Sequence, residues 1–157
     1  FSRKDDFEKK IAEDELIEYA QYCGNYYGTP KSYVDEKLAE GKDVILEIEI
    51  QGALKIKERV PDALLLFVTP PSARELNRRL VSRGTETMDI IERRMRRASE
   101  EAEGMEAYDY LVVNDDLAIC VEEIHKIVEA AKNTPSRNKG FMKNIRAELK
   151  ALAKGEI

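Results

Sequence analysis

Ala63-Leu64-Leu65-Leu66-Phe67-Val68, then Thr69-Pro70-Pro71, then Ser72-Ala73-Arg74-Glu75: an apolar run, a stop and a helix start follow one another without a gap. The run has the length and composition of a strand buried on both faces, as in a parallel sheet. Proline cannot donate to a strand ladder, so Pro70-Pro71 ends it. Ser72-x-x-Glu75 is the signature of a capping box, opening a helix expected to reach about Ser82. One strand followed directly by one helix is the repeating unit of an α/β fold.

The same alternation extends in both directions. Upstream, residues 44–50 form a near-continuous apolar run broken only by Glu47 and Glu49, which reads as another buried strand, and Gln51-Gly52 opens a helix through Leu54 and Ile56. Thr29-Pro30 reads as an N-cap with proline at the first helical position, and the helix through Val34 and Leu38 stops at Gly41. Residues 16–22 alternate like a strand followed by a Gly24-Asn25 turn, and Ser2-Arg3-Lys4-Asp5 caps a short helix carrying Phe7 and Ile11. Downstream, Gly84-Thr85 breaks into a loop before a helix over residues 87–103. Residues 108–113 form a third strand, and Leu117, Val121, Ile124 and Val128 recur at helical spacing. Residues 133–140 are a polar linker, after which Phe141, Ile145, Leu149 and Leu152 make one apolar stripe on a basic helix. The expected class is an open α/β sheet.

The 157 residues carry 26 basic and 31 acidic side chains, a net charge of −5, and suit one ordinary domain. No window approaches the ~18 apolar residues of a membrane span. Cys23 and Cys120 lie far apart without a C-x-x-C partner, which excludes a cysteine metal site and sets a cytoplasmic address as the default. The charge is unevenly spread. Residues 72–98 hold eight of the twelve arginines, no lysine and four acids, while the stretch from Lys132 onward holds seven basic residues against Glu148 and Glu156.

An arginine-only island fits bidentate phosphate binding, because the planar guanidinium matches phosphate oxygens where a solvated face accepts either cation. Arg79 and Arg83 are i, i+4 neighbours, and Arg94 follows across the Gly84-Thr85-Glu86-Thr87 hinge; the alternative is a surface Arg/Glu network. Glu47 and Glu49 share a face by strand periodicity, so they could hold a hydrated Mg²⁺ or orient an arginine; the alternative is a half-exposed edge strand. Glu18 could accept two hydrogen bonds from the N1–H and N2–H₂ edge of guanine. From the residues alone it reads as an exposed strand residue, and Tyr26 and Tyr27 as packing aromatics. His125 reads as a surface histidine and the cysteines as packed thiols.

Taken together, Glu18, Gly24-Asn-Tyr-Tyr-Gly-Thr29, Ile45-Leu-Glu-Ile-Glu-Ile-Gln-Gly52, Pro70-Pro-Ser72, Arg79-x-x-x-Arg83-Gly-Thr-Glu-Thr87, Arg94 and Val112-Val-Asn-Asp-Asp116 resemble the guanylate kinases among the P-loop nucleoside monophosphate kinases. The resemblance covers residues 1 to about 131. It implies a P-loop NTPase-type parallel sheet core flanked by helices, with a GMP-binding region over 1–35, core over 36–81 and 99–131, a helical lid over 82–98, and 132–157 as linker and basic C-terminal helix. It implies transfer of the ATP γ-phosphate to GMP, giving ADP and GDP, with Mg²⁺. Glu18 looks like the reader of the guanine edge, Tyr27 the ligand of the GMP phosphate and Thr29 the contact to guanine O6. Glu47, Glu49, Gln51 and Gly52 complete the GMP side, the two glutamates also facing the metal through water. Arg79, Arg83 and Arg94 resemble the catalytic lid arginines, with Arg79, Arg83, Asn114 and Asp115 on the ATP side.

The sequence departs from the family pattern in two places. Glu49 stands where aspartate is usual, and no G-x-x-x-x-G-K-[ST] occurs: Gly41-Lys42 runs into Asp43, and Glu36 occupies the first glycine's place. The expectation is therefore a chain lacking the first strand, the P-loop and its helix, close to inactive by itself because the phosphate-holding backbone amides are absent. The rival expectation is a guanylate-kinase-like scaffold domain recognising phosphorylated peptides. Expected partners are ATP and GMP, with no membrane, no nucleic acid, and a homo-oligomer if the tail helix forms a subunit interface.

Overall fold

The structure, a computed structural model, describes residues 4–22, 25–84 and 87–155. The chain divides into two compact units, one ending at Leu65 and the other beginning at Leu66.

In the first unit, helix α1 (Lys4–Ala12) leads into strand β1 (Leu16–Tyr22), which pairs antiparallel with β2 (Asn25–Pro30); α2 (Lys31–Ala39) and α3 (Ile50–Arg59) follow. The turn into β1 uses Asp14 at φ 54, a left-handed position that aspartate tolerates better than most side chains. Arg59 fastens it from α3, donating to Asp14 Oδ1 at 2.8 Å and to the Leu16 carbonyl at 2.9 Å. Helix α2 ends as expected. Gly41 takes φ +76, Lys42 N–H bonds the Lys37 carbonyl and Gly41 N–H the Leu38 carbonyl, the paired bonds of a Schellman motif. The core of this unit is Ile17, Val34 and Ile56, with Val44, Leu46, Ile48 and Ala63 packed against it.

Two expectations are corrected here. Residues 42–49 join no sheet among the described residues, although Val44, Leu46 and Ile48 face the core while Ile45 is 86% exposed. The strand periodicity is real, but a strand also needs a hydrogen-bonded neighbouring strand, and none pairs with this segment among the described residues. Asn25, expected in a turn, and Thr29-Pro30, expected at a helix start, belong instead to strand β2. Its turn-forming residues are overridden by pairing with β1, and α2 consequently starts after Pro30 rather than after Thr29.

In the second unit, β3 (Leu66–Thr69) pairs parallel with β4 (Tyr110–Val113), in register from Leu66 opposite Tyr110 to Thr69 opposite Val113. Both strands are shorter at their starts than the apolar runs suggested. Helix α4 (Ala73–Ser82) begins at Ser72, whose hydroxyl accepts the Glu75 N–H at 3.1 Å. Next come α5 (Met88–Ala102), α6 (Leu117–Lys132) and α7 (Lys139–Ala153), with short 3-10 turns at Met105–Ala107 and Pro135–Arg137. The expected linker therefore already contains the start of α7. Val112 is fully buried, and Tyr108 meets Phe67 edge-on at 5.1 Å. The stripe on α7 is not covered in this unit: Phe141, Leu149 and Leu152 are all more than half exposed. No helix among the described residues is long and apolar enough to cross a membrane. Ser2, Arg3, Cys23, Gly24, Thr85 and Glu86, invoked above for a cap, a packed thiol, a turn and the lid, lie outside the described residues.

Gly28 is fixed by a close approach rather than by its dihedral angles. A Cβ there would lie 2.8 Å from the Glu18 carbonyl oxygen and 2.9 Å from Phe7 Cζ, whose ring stacks on Tyr26 at 5.3 Å. Gly28→Ala is expected to lower stability by about 1–3 kcal/mol, as overpacking does. Gly140→Ala, with nothing within 4 Å of its Cβ, is expected to be neutral or mildly stabilising. Urea-denaturation midpoints check both, and equal midpoints for the two variants would contradict the packing described.

Candidate functional site

In an antiparallel pair, directly opposed residues point to the same side. Glu18 opposes Thr29 and Ala20 opposes Tyr27, so Glu18, Thr29 and Tyr27 share one face of the β1–β2 ribbon. Thr29 Oγ1 donates to Glu18 Oε1 at 2.8 Å. Thr29 is thus the partner of Glu18 and not the helix cap that its position before Pro30 suggested. Glu18 is only 6% exposed, which also corrects its reading as an exposed strand residue.

The other oxygen of Glu18 lies against α3. A Cβ on Gly52 would come within 2.9 Å of Glu18 Oε2, so a side chain at position 52 would displace the carboxylate. Gly52 is in the first turn of α3, whose N-cap Glu49 makes no side-chain capping bond, and the partial positive charge of a helix N-terminus favours an anion nearby. Thr29 is the one hydrogen-bond partner of the Glu18 carboxylate among the described residues. Tyr27, on the same face, is 56% exposed. Gln51 lines an open cleft of about 460 Å³ with Tyr19, Tyr26, Glu8 and Lys55. Lys55 closes one side of it, donating to the Tyr19 carbonyl at 3.2 Å with its ammonium 4.3 Å from the Tyr19 ring centre.

Glu47 and Glu49 are not the doubly buried pair that a central strand would make. Glu47 is exposed and Glu49 half-buried, because Val44, Leu46 and Ile48, which alternate with the glutamates, take the core side. No group of three or more histidine, cysteine or carboxylate side chains able to hold a metal ion occurs among the described residues. Two carboxylates of this kind fit a hydrated Mg²⁺ whose remaining ligands are water and substrate phosphate, the usual arrangement for that ion, and not a closed protein cage.

In the second unit, the C-terminal ends of the two parallel strands lie side by side, the position at which open α/β sheets bind ligands. Asn114 N–H extends the ladder to the Thr69 carbonyl at 2.7 Å. Arg79, from α4, donates through Nη1 to the Asn114 carbonyl at 2.8 Å and through Nη2 to the Asp115 carbonyl at 3.4 Å. Three of the residues expected on the ATP side are therefore brought together, but through backbone carbonyls that sequence reading does not register. Arg83 is the C-cap of α4 and Arg94 lies on α5; both are exposed. Cys120 is buried and His125 exposed, as expected of residues outside the site.

Glu75, expected only as the glutamate of a capping box, joins Arg78 and Arg79 in the surface Arg/Glu network given above as the alternative to phosphate binding. The capping-box pattern has the glutamate reach back to the Ser72 N–H, whereas here its carboxylate turns to two arginines. Arg78 donates through Nε and Nη2 at 2.7 Å each, and Arg79 through Nε at 2.7 Å. The spacing of Glu75 to Arg79, i to i+4, was the available signal. Hydrogen bonds from Arg78 and then Arg79 pull the Glu75 carboxyl from 4.5 down to about 2. Because the folded value is the depressed one, the stabilisation from these pairs is fully present above pH 4.5 and is lost as the pH falls toward 2. A carboxyl carbon NMR titration is expected to show Glu75 still ionised at pH 3.5, and Arg78→Ala is expected to move its midpoint upward toward the ordinary value.

A family model described as guanylate kinase matches residues 1–131. The guanylate kinase of Lactococcus lactis subsp. lactis is 52% identical over 130 residues, which is 83% of this chain and 63% of that protein. That of Halalkalibacterium halodurans is also 52% identical over 130 residues, 83% of this chain and 64% of that protein. The crystal structure of guanylate kinase from Anaplasma phagocytophilum superposes with a TM-score of 0.71 at 30% identity, covering 87% of this chain and 66% of that one. The chain thus spans somewhat under two thirds of the length of these relatives. With the family model extending through both units, and with half of the aligned residues identical to those of bacterial relatives, the chain belongs to the guanylate kinase family.

Proposed function

We propose that the protein is an ATP:GMP phosphotransferase, making ADP and GDP, with Mg²⁺ as its metal and the cytoplasm as its place of work. The observation that carries this reading is Glu18: a carboxylate at 6% exposure with one oxygen on Thr29 and no second protein donor among the described residues. A buried acceptor left unmatched costs about 1–3 kcal/mol, so such a group favours a ligand that brings donors. The N1–H and N2–H₂ groups of guanine are two donors on one edge, and adenine has no such pair.

The remaining roles follow from position. The Thr29 hydroxyl, held beside Glu18, faces the base, and the Tyr27 hydroxyl on the same face suits the GMP phosphate. Gly52 leaves room for the carboxylate, Gln51 lines the neighbouring cleft, and Glu47 and Glu49 are the water-mediated metal ligands. Residues 1–35 form the GMP-binding region and residues 82–98 the lid. Arg83 and Arg94 supply exposed guanidinium groups for the polyphosphate, while Arg79 works with Asn114 and Asp115 on the ATP side. Bound with ATP, Mg²⁺ supplies charge neutralisation on the phosphate oxygens. In-line phosphoryl transfer needs positioning and electrostatic stabilisation rather than a protein nucleophile, and the groups assigned here in each unit are of kinds that position and stabilise charge.

A coupled assay of ADP release by the protein at its full natural length tests the reading. Turnover is expected with GMP and ATP and to fall by about 100-fold or more with AMP in place of GMP, since a site built to hydrogen-bond a substrate rejects one that leaves it unpaired. Glu18→Gln is expected to raise the KM for GMP at least about tenfold while leaving that for ATP unchanged. GMP binding without turnover would favour the scaffold reading, and equal use of AMP and GMP would remove the role given to Glu18.

A further inference from the structure

The loop after β4 is held by three ties, two through its backbone and one through a side chain. Asn114 N–H bonds the Thr69 carbonyl at 2.7 Å, the Asn114 and Asp115 carbonyls accept from Arg79, and the Asp116 carboxylate caps α6 by accepting the Ile119 N–H at 3.0 Å. Two of the three ties are short and built from main-chain or capping groups. The third depends on a long, flexible side chain, and an arginine keeps such a geometry only if something fixes its guanidinium.

That fixing group is Glu75. Its own N–H is held by the Ser72 hydroxyl at the start of α4, so its backbone is anchored, and it lies one helical turn before Arg79 on the same face. With Arg79 Nε on Glu75 Oε1 at 2.7 Å, the opposite edge of the planar guanidinium is turned to the loop carbonyls. A charge-assisted bond at Nε sets the plane of the whole fork.

We propose that Glu75 is a positioning residue for the nucleotide-binding loop: it orients Arg79 so that the guanidinium locks the Asn114 and Asp115 carbonyls, and Arg79 thereby organises the loop instead of clamping phosphate. The ATP-related half of this proposal rests on the phosphotransferase reading above. Arg78 shares the same carboxylate but makes no bond to the loop, so the two arginines can be told apart.

The test is amide hydrogen exchange over residues 113–117, combined with steady-state kinetics, on the full-length protein and its Glu75→Gln, Arg79→Lys and Arg78→Ala variants. Glu75→Gln and Arg79→Lys are expected to speed exchange in this loop about fivefold or more by releasing a local tie, with amides of β3 and the middle of α6 exchanging within about twofold of the parent's rate. Glu75→Gln is also expected to raise the KM for ATP by about fivefold while kcat and the KM for GMP stay within about twofold, the pattern of lost ground-state positioning. Arg78→Ala is expected to leave loop exchange unchanged. Parent-level exchange in Glu75→Gln, or an Arg78→Ala effect equal to that of Glu75→Gln, would overturn the proposal, the second because it would reduce Glu75 to a helix-stabilising charge. Faster loop exchange in a protein that makes no ADP from ATP and GMP would support the clamp and overturn only the kinase reading.

Discussion

A carboxylate removed from water must be matched by donors or by positive potential, and the first unit is arranged around that requirement at Glu18. Pairing of β1 with β2 sets the Thr29 hydroxyl opposite it. The packing of α3 brings the amino end of a helix to its second oxygen, and Gly52 is the residue that lets the helix come so near. Val44, Leu46 and Ile48 cover the core beneath, so that the segment leading into α3 is fixed even without a ladder of its own. What is left over, an acceptor with capacity for a further donor, is the basis of the guanine-reading role proposed for this face.

The second unit solves a different problem with similar means. Two short parallel strands end together, and the chain that leaves them must be held without a further strand beside it. The Asn114 N–H, the Arg79 guanidinium and the Asp116 cap take up that task. The arginine island is therefore divided by function. Arg78 and Arg79 bond Glu75, and Arg83 at the C-cap of α4 and Arg94 on α5 are exposed.

Much of this was legible in the sequence where local rules decide. The Schellman end of α2 at Gly41, the Ser72 cap and the stop at Pro70 each depend on a few adjacent residues, and each stands where the pattern put it. The misreadings share one cause, a dependence on groups distant in the chain. Residues 44–50 have strand periodicity, but pairing is settled by a neighbour. Asn25 and Thr29-Pro30 look like a turn and a helix start, but β1 makes them part of a strand. Glu18 looked exposed because its burial comes from Gly52 and Thr29, and the bonds from Arg79 to the Asn114 and Asp115 carbonyls stayed hidden because main-chain carbonyls carry no signature in the sequence.

The guanine-reading role of Glu18 is the claim on which the functional account turns. The most direct measurement is calorimetric titration of the protein with GMP and with IMP, which keeps the N1–H donor and lacks the N2 amine. The account predicts that GMP binds at least about tenfold more tightly, the loss of one donor to a buried carboxylate being worth that much. Equal affinities for the two nucleotides would contradict it.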